Sequence, residues 1–359
     1  MAIDPQEKLK AYLNLAHEKS ASDIHFCVDH RPIFRIGGEL YRLESEDVLT
    51  NEEINSFAQV MLTPTRYDRF LHERDIDFSY NFENQIRFRG NFYFQLNRIS
   101  CSLRLIPNKI KSVEDLKLPP ILHSFTKPKQ GFVLVTGPAN QGKSTTLAAM
   151  IDEINHEREE HIITIEDPIE YIFSDDRCII DQREIGRDAI SFARALRASL
   201  RQDPDVIMVG EMRDLETMSI ALTAAETGHL VYATLHTNSA AQTVNRVVDS
   251  FPAAQQNQVR SQLSSSLLGV ISQRLVPAKT GGLISACEVM INSPAIANLI
   301  RENKIYEIPS VIETSSNIGM ISLNRSLAKL IKEGKVSVED AVNYSTNPKE
   351  LRDMVNAGI

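Results

Sequence analysis

The first third of the chain alternates short apolar runs with polar turns. Asp23-Ile24-His25-Phe26, Ile33–Ile36 and Leu40–Leu43 read as strands, with Gly37-Gly38 turning the chain between the last two. Asp77–Tyr80, Ile86–Phe94 and Cys101–Ile106 read as further strands, and Lys8–His17 as a helix. This predicts a small α+β domain over residues 1–107. The stretch PNKIKSVEDLKLPP that follows is charged and bounded by prolines, which predicts a linker at 108–120. From Ile121 the pattern changes. Continuous apolar runs at Phe132–Thr136, Ile162–Ile165, Val206–Val209 and Val231–Thr234 alternate with helical periodicity, as in Ile190–Arg201 and Leu215–Glu226. Wholly apolar strands between helices predict an α/β domain over 121–359, with a mainly parallel sheet covered on both faces. From about Pro294 the chain is expected to be helical, a subdomain over 294–359.

Composition narrows this picture only a little. A chain of 359 residues, 42% hydrophobic and 24% charged, is expected to be a globular protein of two domains. A net charge of −8 argues against a nucleic-acid partner. No apolar run is long enough to span a membrane, and the N-terminus lacks the apolar centre of a signal peptide, so a cytoplasmic location is expected. Cys27, Cys101, Cys178 and Cys287 form no C-x-x-C pair, which predicts buried free thiols rather than a zinc site.

The candidate chemistry begins at GFVLVTGPANQGKSTT, Gly131–Thr146. Gly137 followed at the right spacing by Gly142-Lys143-Ser144 is the G-x-x-x-x-G-K-[ST] phosphate loop. Its glycines let the backbone turn its N–H groups into one cavity at a helix N-terminus, where phosphate oxygens are attracted. The loop residues Gly137, Pro138, Ala139, Asn140, Gln141, Gly142, Lys143, Ser144 and Thr145 are therefore expected to bind ATP. Lys143 would reach the β- and γ-phosphates and Ser144 would hold Mg²⁺. Asn140 and Gln141 are bulkier than such loops usually carry, although Asn tolerates a positive φ.

Three other constellations surround this motif. The run Ile162–Ile165 ends in EDPIE, Glu166–Glu170, and Asp205–Glu211 reads DVIMVGE. Carboxylates at the carboxyl ends of parallel strands can hold Mg²⁺ or orient a water, or simply be solvated strand ends. Asp214 reads as a cap for the helix that follows. His229 and His236 bracket a strand; they read as sensors of the γ-phosphate or partners of an acid, or as structural residues. Arg87 and Arg89 lie two apart on one strand face, with Arg104 on the next strand. They read as a solvated basic face or as cations that neutralise phosphate.

Taken together, ASDIHF (Ala21–Phe26), RFRGNFY (Arg87–Tyr93), LRLIP (Leu103–Pro107), the phosphate loop, TIEDPIEY (Thr164–Tyr171), QREIG (Gln182–Gly186), ALRASLRQDPDVIMVGEMRD (Ala195–Asp214) and TAAETGHLVYATLHTNSA (Thr223–Ala240) span nearly the whole chain. The chain resembles the secretion-type ATPases of bacterial pilus and secretion machines, and among them the type IV pilus retraction ATPases. The resemblance implies a PAS-like N-terminal domain joined to a RecA-like ATPase domain, and a homohexameric ring with nucleotide between the domains. It implies Glu211 and Glu170 as the catalytic acids, with Glu166 beside them. Ser144, Glu211 and Glu166 would serve Mg²⁺. His229 and His236 fall in the family's histidine box, and Arg87, Arg89 and Arg104 match basic residues brought to the phosphates. The implied function is ATP-driven pilus disassembly, hence twitching motility. The implied partners are an inner-membrane pilus platform protein and a paralogous ATPase, with the ring held peripherally at the pilus base.

Ala295–Glu302, AIANLIRE, resembles the AIRNLIRE helix of the retraction subfamily, with Ala297 where that pattern has Arg. Extension and type II secretion ATPases usually carry two C-x-x-C pairs and a longer N-terminal region, which again favours retraction. Two other readings stay open: an ATPase of the same class serving a secretion or DNA-uptake machine, and a regulator that binds nucleotide without hydrolysing it.

Overall fold

The computed structural model describes residues 4–82, 86–106 and 110–358. The expected domain bounds at 1, 107, 108 and 359 fall on residues outside the described ones. By packing, the chain divides into two compact units, Met1–Lys109 with Pro168–Ile172, and Ile110–Asp167 with Phe173–Ile359. This differs from the expected division in two places. The stretch expected as linker is packed, because Val113 and Leu118 are only 2% and 5% exposed. Pro168–Ile172, expected in the second domain, belongs to the first unit, where Arg87 Nε donates to the Ile169 carbonyl at 3.0 Å.

In the first unit, alternating apolar residues build one sheet. Its strands are β1 Asp23–Cys27, β2 Ile33–Ile36, β3 Glu39–Arg42, β4 Asp75–Phe82, β5 Ile86–Gln95 and β6 Arg98–Ile106. They lie in the order β3-β2-β1-β6-β5-β4, each antiparallel to its neighbour. Ile24, Phe26, Phe78, Phe88 and Phe92 fill the core against helices Pro5–Glu18 and Asn51–Met61. The second helix opens on a capping box: Thr50 Oγ1 accepts from Glu53 N, and Glu53 Oε2 accepts from Thr50 N.

The second unit is a seven-stranded sheet. Its strands are β7 Gly131–Thr136, β8 His161–Glu166, β9 Ile179–Glu184, β10 Val206–Val209, β11 Leu230–Leu235, β12 Leu267–Pro277 and β13 Leu283–Ile291. The order is β13-β12-β7-β11-β10-β8-β9, parallel throughout except for the antiparallel β12–β13 pair. β7, β10 and β11 are buried along their whole length, as strands covered on both faces should be. β9, β12 and β13 are additions to the expected strands. Polar residues such as Asp181-Gln182-Arg183 and Ser272-Gln273-Arg274 interrupt their apolar runs. From Pro294 to Asn356 the chain is mainly helical, and Ile321 makes one bridge back to Val289. No described helix is long and apolar enough to cross a membrane. All four cysteines are free thiols; Cys27 is half-buried and the other three are buried.

Candidate functional site

Four parallel strands end within two residues of one another along the sheet. Thr136 of β7 pairs with Leu235 of β11, and Val209 of β10 pairs with Ala233 of β11 and Ile165 of β8. The residues that follow, Gly137, His236, Gly210-Glu211 and Glu166, therefore emerge along one edge of the sheet. This is the carboxyl edge, where open α/β sheets hold their ligands.

The phosphate loop leaves β7 there and runs into the helix Lys143–Glu157. Gly137 has φ 147° and Gly142 φ 77°, both in the region that disfavours a side chain, and Asn140 joins them at φ 60°. Asn140 thus fits the loop for the reason anticipated. Lys143 is 8% exposed, and its ammonium donates to the Gly137 and Pro138 carbonyls at 2.8 Å each. These bonds curl the loop around its own lysine. The helix N-terminus adds about half a positive charge to the concavity. Ser144 and Thr145 are half-buried in the first helical turn. Gln141, the other bulky loop residue, accepts from the Leu275 N–H through Oε1 at 2.7 Å.

Glu211 follows β10 across the strand edge. Its carboxylate accepts from Arg213 Nη2 at 2.7 Å and lies 2.9 Å from His236 Nε2. Burial pushes the Glu211 carboxyl up, but the Arg213 guanidinium and the His236 ring outweigh it and hold the group below the usual carboxylate range. His236 Nδ1 in turn lies 3.4 Å from Lys143 Nζ. Glu166 is buried at the end of β8, where Oε1 accepts from Thr164 Oγ1 at 2.7 Å and from Gln182 Nε2 at 3.3 Å. Gly210 passes so close that a Cβ on it would stand 3.3 Å from Glu166 Cα. The structure thus brings Lys143, His236, Glu211 and Glu166 to one edge. Asp214 caps the helix Leu215–Glu226 by accepting from Thr217 N.

Other expected site residues lie elsewhere. His229 precedes β11 and so sits at the amino end of the strand that His236 follows. Its Nδ1 is 3.0 Å from the Ala224 carbonyl, and its own carbonyl accepts from Gly131 N. A six-residue strand, at about 3.3 Å per residue, separates the two histidines. The expectation that both face one nucleotide is corrected within this chain: His229 closes the opposite end of the sheet. Arg87, Arg89 and Arg104 are in the first unit, as is Glu170. Arg87 is 5% exposed and bonds Asn81 Oδ1 at 2.8 Å as well as Ile169. Arg89 lies 3.6 Å from Glu170, and Arg104 Nε donates to Asp23 at 2.9 Å.

Sequence reading missed Arg213 and Gln273. Arg213 was readable only as a charge beside Glu211. Gln273 carried no signal, since its strand was itself unread. A cavity of about 340 Å³ opens beside Gly142, Thr145 and Thr146, lined further by Gln273, Leu275 and Ile284. Its size suits a small organic ligand next to the phosphate loop.

The profile of a family described as Type II/IV secretion system protein matches residues 5–352. The chain is 43% identical over 339 residues to the type IV pilus retraction ATPase PilT of Pseudomonas aeruginosa, covering 94% of this chain and 98% of that one. It is 43% identical over 329 residues to a twitching motility protein of Neisseria gonorrhoeae, covering 91% of this chain and 87% of the relative. Among solved structures it is similar to the pilus retraction motor PilT crystallised with bound ADP, with a TM-score of 0.90, 45% identity, and coverage of 96% of this chain and 98% of the other.

Proposed function

Because the chain belongs to the family of Type II/IV secretion system proteins, we infer that it is an ATP-hydrolysing motor that drives type IV pilus retraction. Relatives named for pilus retraction and twitching motility support this over nearly the full length. The observation that carries the chemistry is the convergence of the phosphate loop, Lys143, His236 and Glu211 at one sheet edge.

ATP hydrolysis needs a water placed in line with the γ-phosphorus and positive charge around the oxygens that gain charge. The loop N–H groups, the helix N-terminus and Lys143 supply that charge. Glu211, ionised and held by Arg213 and His236, is assigned to orient and polarise the water. His236 links that acid to the loop lysine. Ser144, Glu211 and Glu166 offer the hydroxyl and carboxylate oxygens that Mg²⁺ prefers, Glu166 ending β8 and Glu211 following the adjacent strand β10. The ion would there neutralise phosphate charge. The cavity beside Thr145 is assigned to the non-phosphate part of the nucleotide.

Arg87 is committed to Asn81 and Ile169, so we assign it the task of holding the segment that carries Glu170 rather than touching phosphate. Arg89 and Arg104 keep the charge-neutralising role. On the same reading, six copies form a ring at the inner membrane that acts on a pilus platform protein, with a paralogous ATPase as a further partner.

The test is the Mg²⁺-dependent ATPase rate of the purified oligomer beside Glu211→Gln, together with the surface pili of a deletion strain. Turnover lost in the variant and excess pili in the strain are expected. A deletion strain without pili would transfer the chain to an assembly machine.

A further inference from the structure

We propose that Gln273 is a positioning residue for the phosphate loop, clamping it to β12 so that nucleotide meets a cradle already formed. The proposal rests on the reading of Gly137–Thr145 as a nucleotide site.

β12 runs parallel to β7 with Ser272 opposite Thr136, so Gln273 stands level with Gly137, the first loop residue. Both loop glycines pack on it. A Cβ at Gly137 would fall 2.5 Å from the Gln273 carbonyl oxygen, and one at Gly142 would fall 3.0 Å from its Nε2. The side chain, 3% exposed, then makes two bonds in opposite senses. Its Nε2 donates to the Gln141 carbonyl at 2.8 Å, and its Oε1 accepts from Thr146 Oγ1 at 2.7 Å. Gln141 answers by accepting from Leu275 N, two residues further along the same strand. One buried amide therefore ties the middle of the loop to the first turn of the helix, and the loop returns a second tie to the strand.

The clamp has a specific task. Asn140 holds a positive φ that a non-glycine residue keeps only where the surroundings over-determine it, while Gly137 and Gly142 are free to leave theirs. The segment between them has neither sheet nor helix bonds of its own. Without the clamp the loop would leave this form for part of the time, and apparent affinity falls in proportion to the time lost. A loop held by Gln273 presents its N–H groups before nucleotide arrives. The glutamine touches loop and helix rather than the reacting atoms, so its effect should fall on binding and spare the saturated rate.

The experiment uses the full chain and measures the Kd of fluorescently labelled ADP, the KM and kcat for ATP, and thermal unfolding. Gln273→Met keeps the length of the side chain and removes both bonds. Thr146→Val keeps the volume and removes one bond, and Thr146→Ser restores the hydroxyl. Gln273→Met and Thr146→Val are each expected to raise Kd and KM about tenfold, with kcat changed less than about threefold. Thr146→Ser should bind like the native chain. The double variant Gln273→Met/Thr146→Val should be little worse than Gln273→Met alone, because the two share one network.

A folded Gln273→Met with native Kd overturns the proposal, as does a loss of kcat at unchanged KM. If Gln273→Met fails to fold, the Thr146→Val and Thr146→Ser pair decides on the same readings. A native chain that binds labelled ADP but hydrolyses no ATP would sink the motor reading, and the clamp would then be judged on Kd. A native chain that binds no ADP overturns both.

Discussion

His236 places one ring nitrogen 2.9 Å from Glu211 and the other 3.4 Å from Lys143 Nζ. The tautomer with hydrogen on Nε2 satisfies both contacts, donating to the carboxylate and presenting a lone pair to the ammonium. One side chain thus joins the acid of β10 to the lysine of the phosphate loop.

Glu211→Gln removes the charge from this pair while keeping its shape. Turnover is expected to fall about 10²-fold or more, the usual worth of a positioned acid–base group, while labelled ADP binds as before. A steady-state ATPase assay beside a binding titration checks it, and a native rate in the variant would remove Glu211 from the site.

Lys143→Ala deletes the charged donor of the loop. Bonds to charged groups commonly contribute about 1.5–3 kcal/mol, so the Kd for ADP should rise about 10- to 100-fold by calorimetric titration. Unchanged affinity would mean that the lysine spends its charge on the Gly137 and Pro138 carbonyls alone.

Arg87 and Arg89 should part company. Arg87→Ala strips the Ile169 carbonyl and Asn81 of a buried donor, and is expected to cost about 1–3 kcal/mol in denaturant unfolding. Arg89→Ala breaks a half-exposed pair and should cost about 0–1 kcal/mol. Equal losses would contradict the different burial of the two side chains.

His123 supplies a pH-dependent element. It lies between Glu114 and Glu153, 2.7 Å from each, and Glu153 stands on the helix that follows the phosphate loop. Burial lowers the His123 pKa, but the two carboxylates outweigh it and raise the group above its ordinary value. Because the folded value is raised, the stabilisation is fully present below about pH 6.5 and is lost as pH rises through the folded pKa. Lys127 also pairs with Glu153 and with Glu157, so the helix keeps a cation when His123 becomes neutral. The melting-temperature gap between the native chain and His123→Gln should be widest near about pH 6 and shrink by about pH 9. A gap that grows with pH would reverse the assignment.

Much of the second unit was legible because strands buried on both faces must be apolar throughout. β7, β8, β10 and β11 announce themselves as such runs, and the loop spacing names its own chemistry. β12 stayed hidden for the opposite reason. Its Gln273 and Arg274 are polar because each holds a neighbouring turn, Gln273 the phosphate loop and Arg274 the Asn238 turn, with Arg274 Nη2 donating to Asn238 Oδ1 at 2.9 Å. The partners Gln141 and Gln273 are separated by 132 residues, a distance over which no local pattern speaks. His229 misled because its spacing from His236 looks like a pair, whereas a strand carries its two ends apart. The helix at Asn51 was missed even though Thr50 and Glu53 spell out its cap.

The strand register that gathers the ends of β7, β8, β10 and β11 makes the geometry of this edge a matter of counting residues. A single residue inserted within β10 would advance Glu211 by about 3.3 Å and turn its side chain to the opposite face. No repacking of the core could recover the pair with His236. Length changes at the far edge, around Thr227–His229, leave that count untouched. Over evolutionary time such strands are free to exchange one apolar residue for another, and are held fast in how long they are.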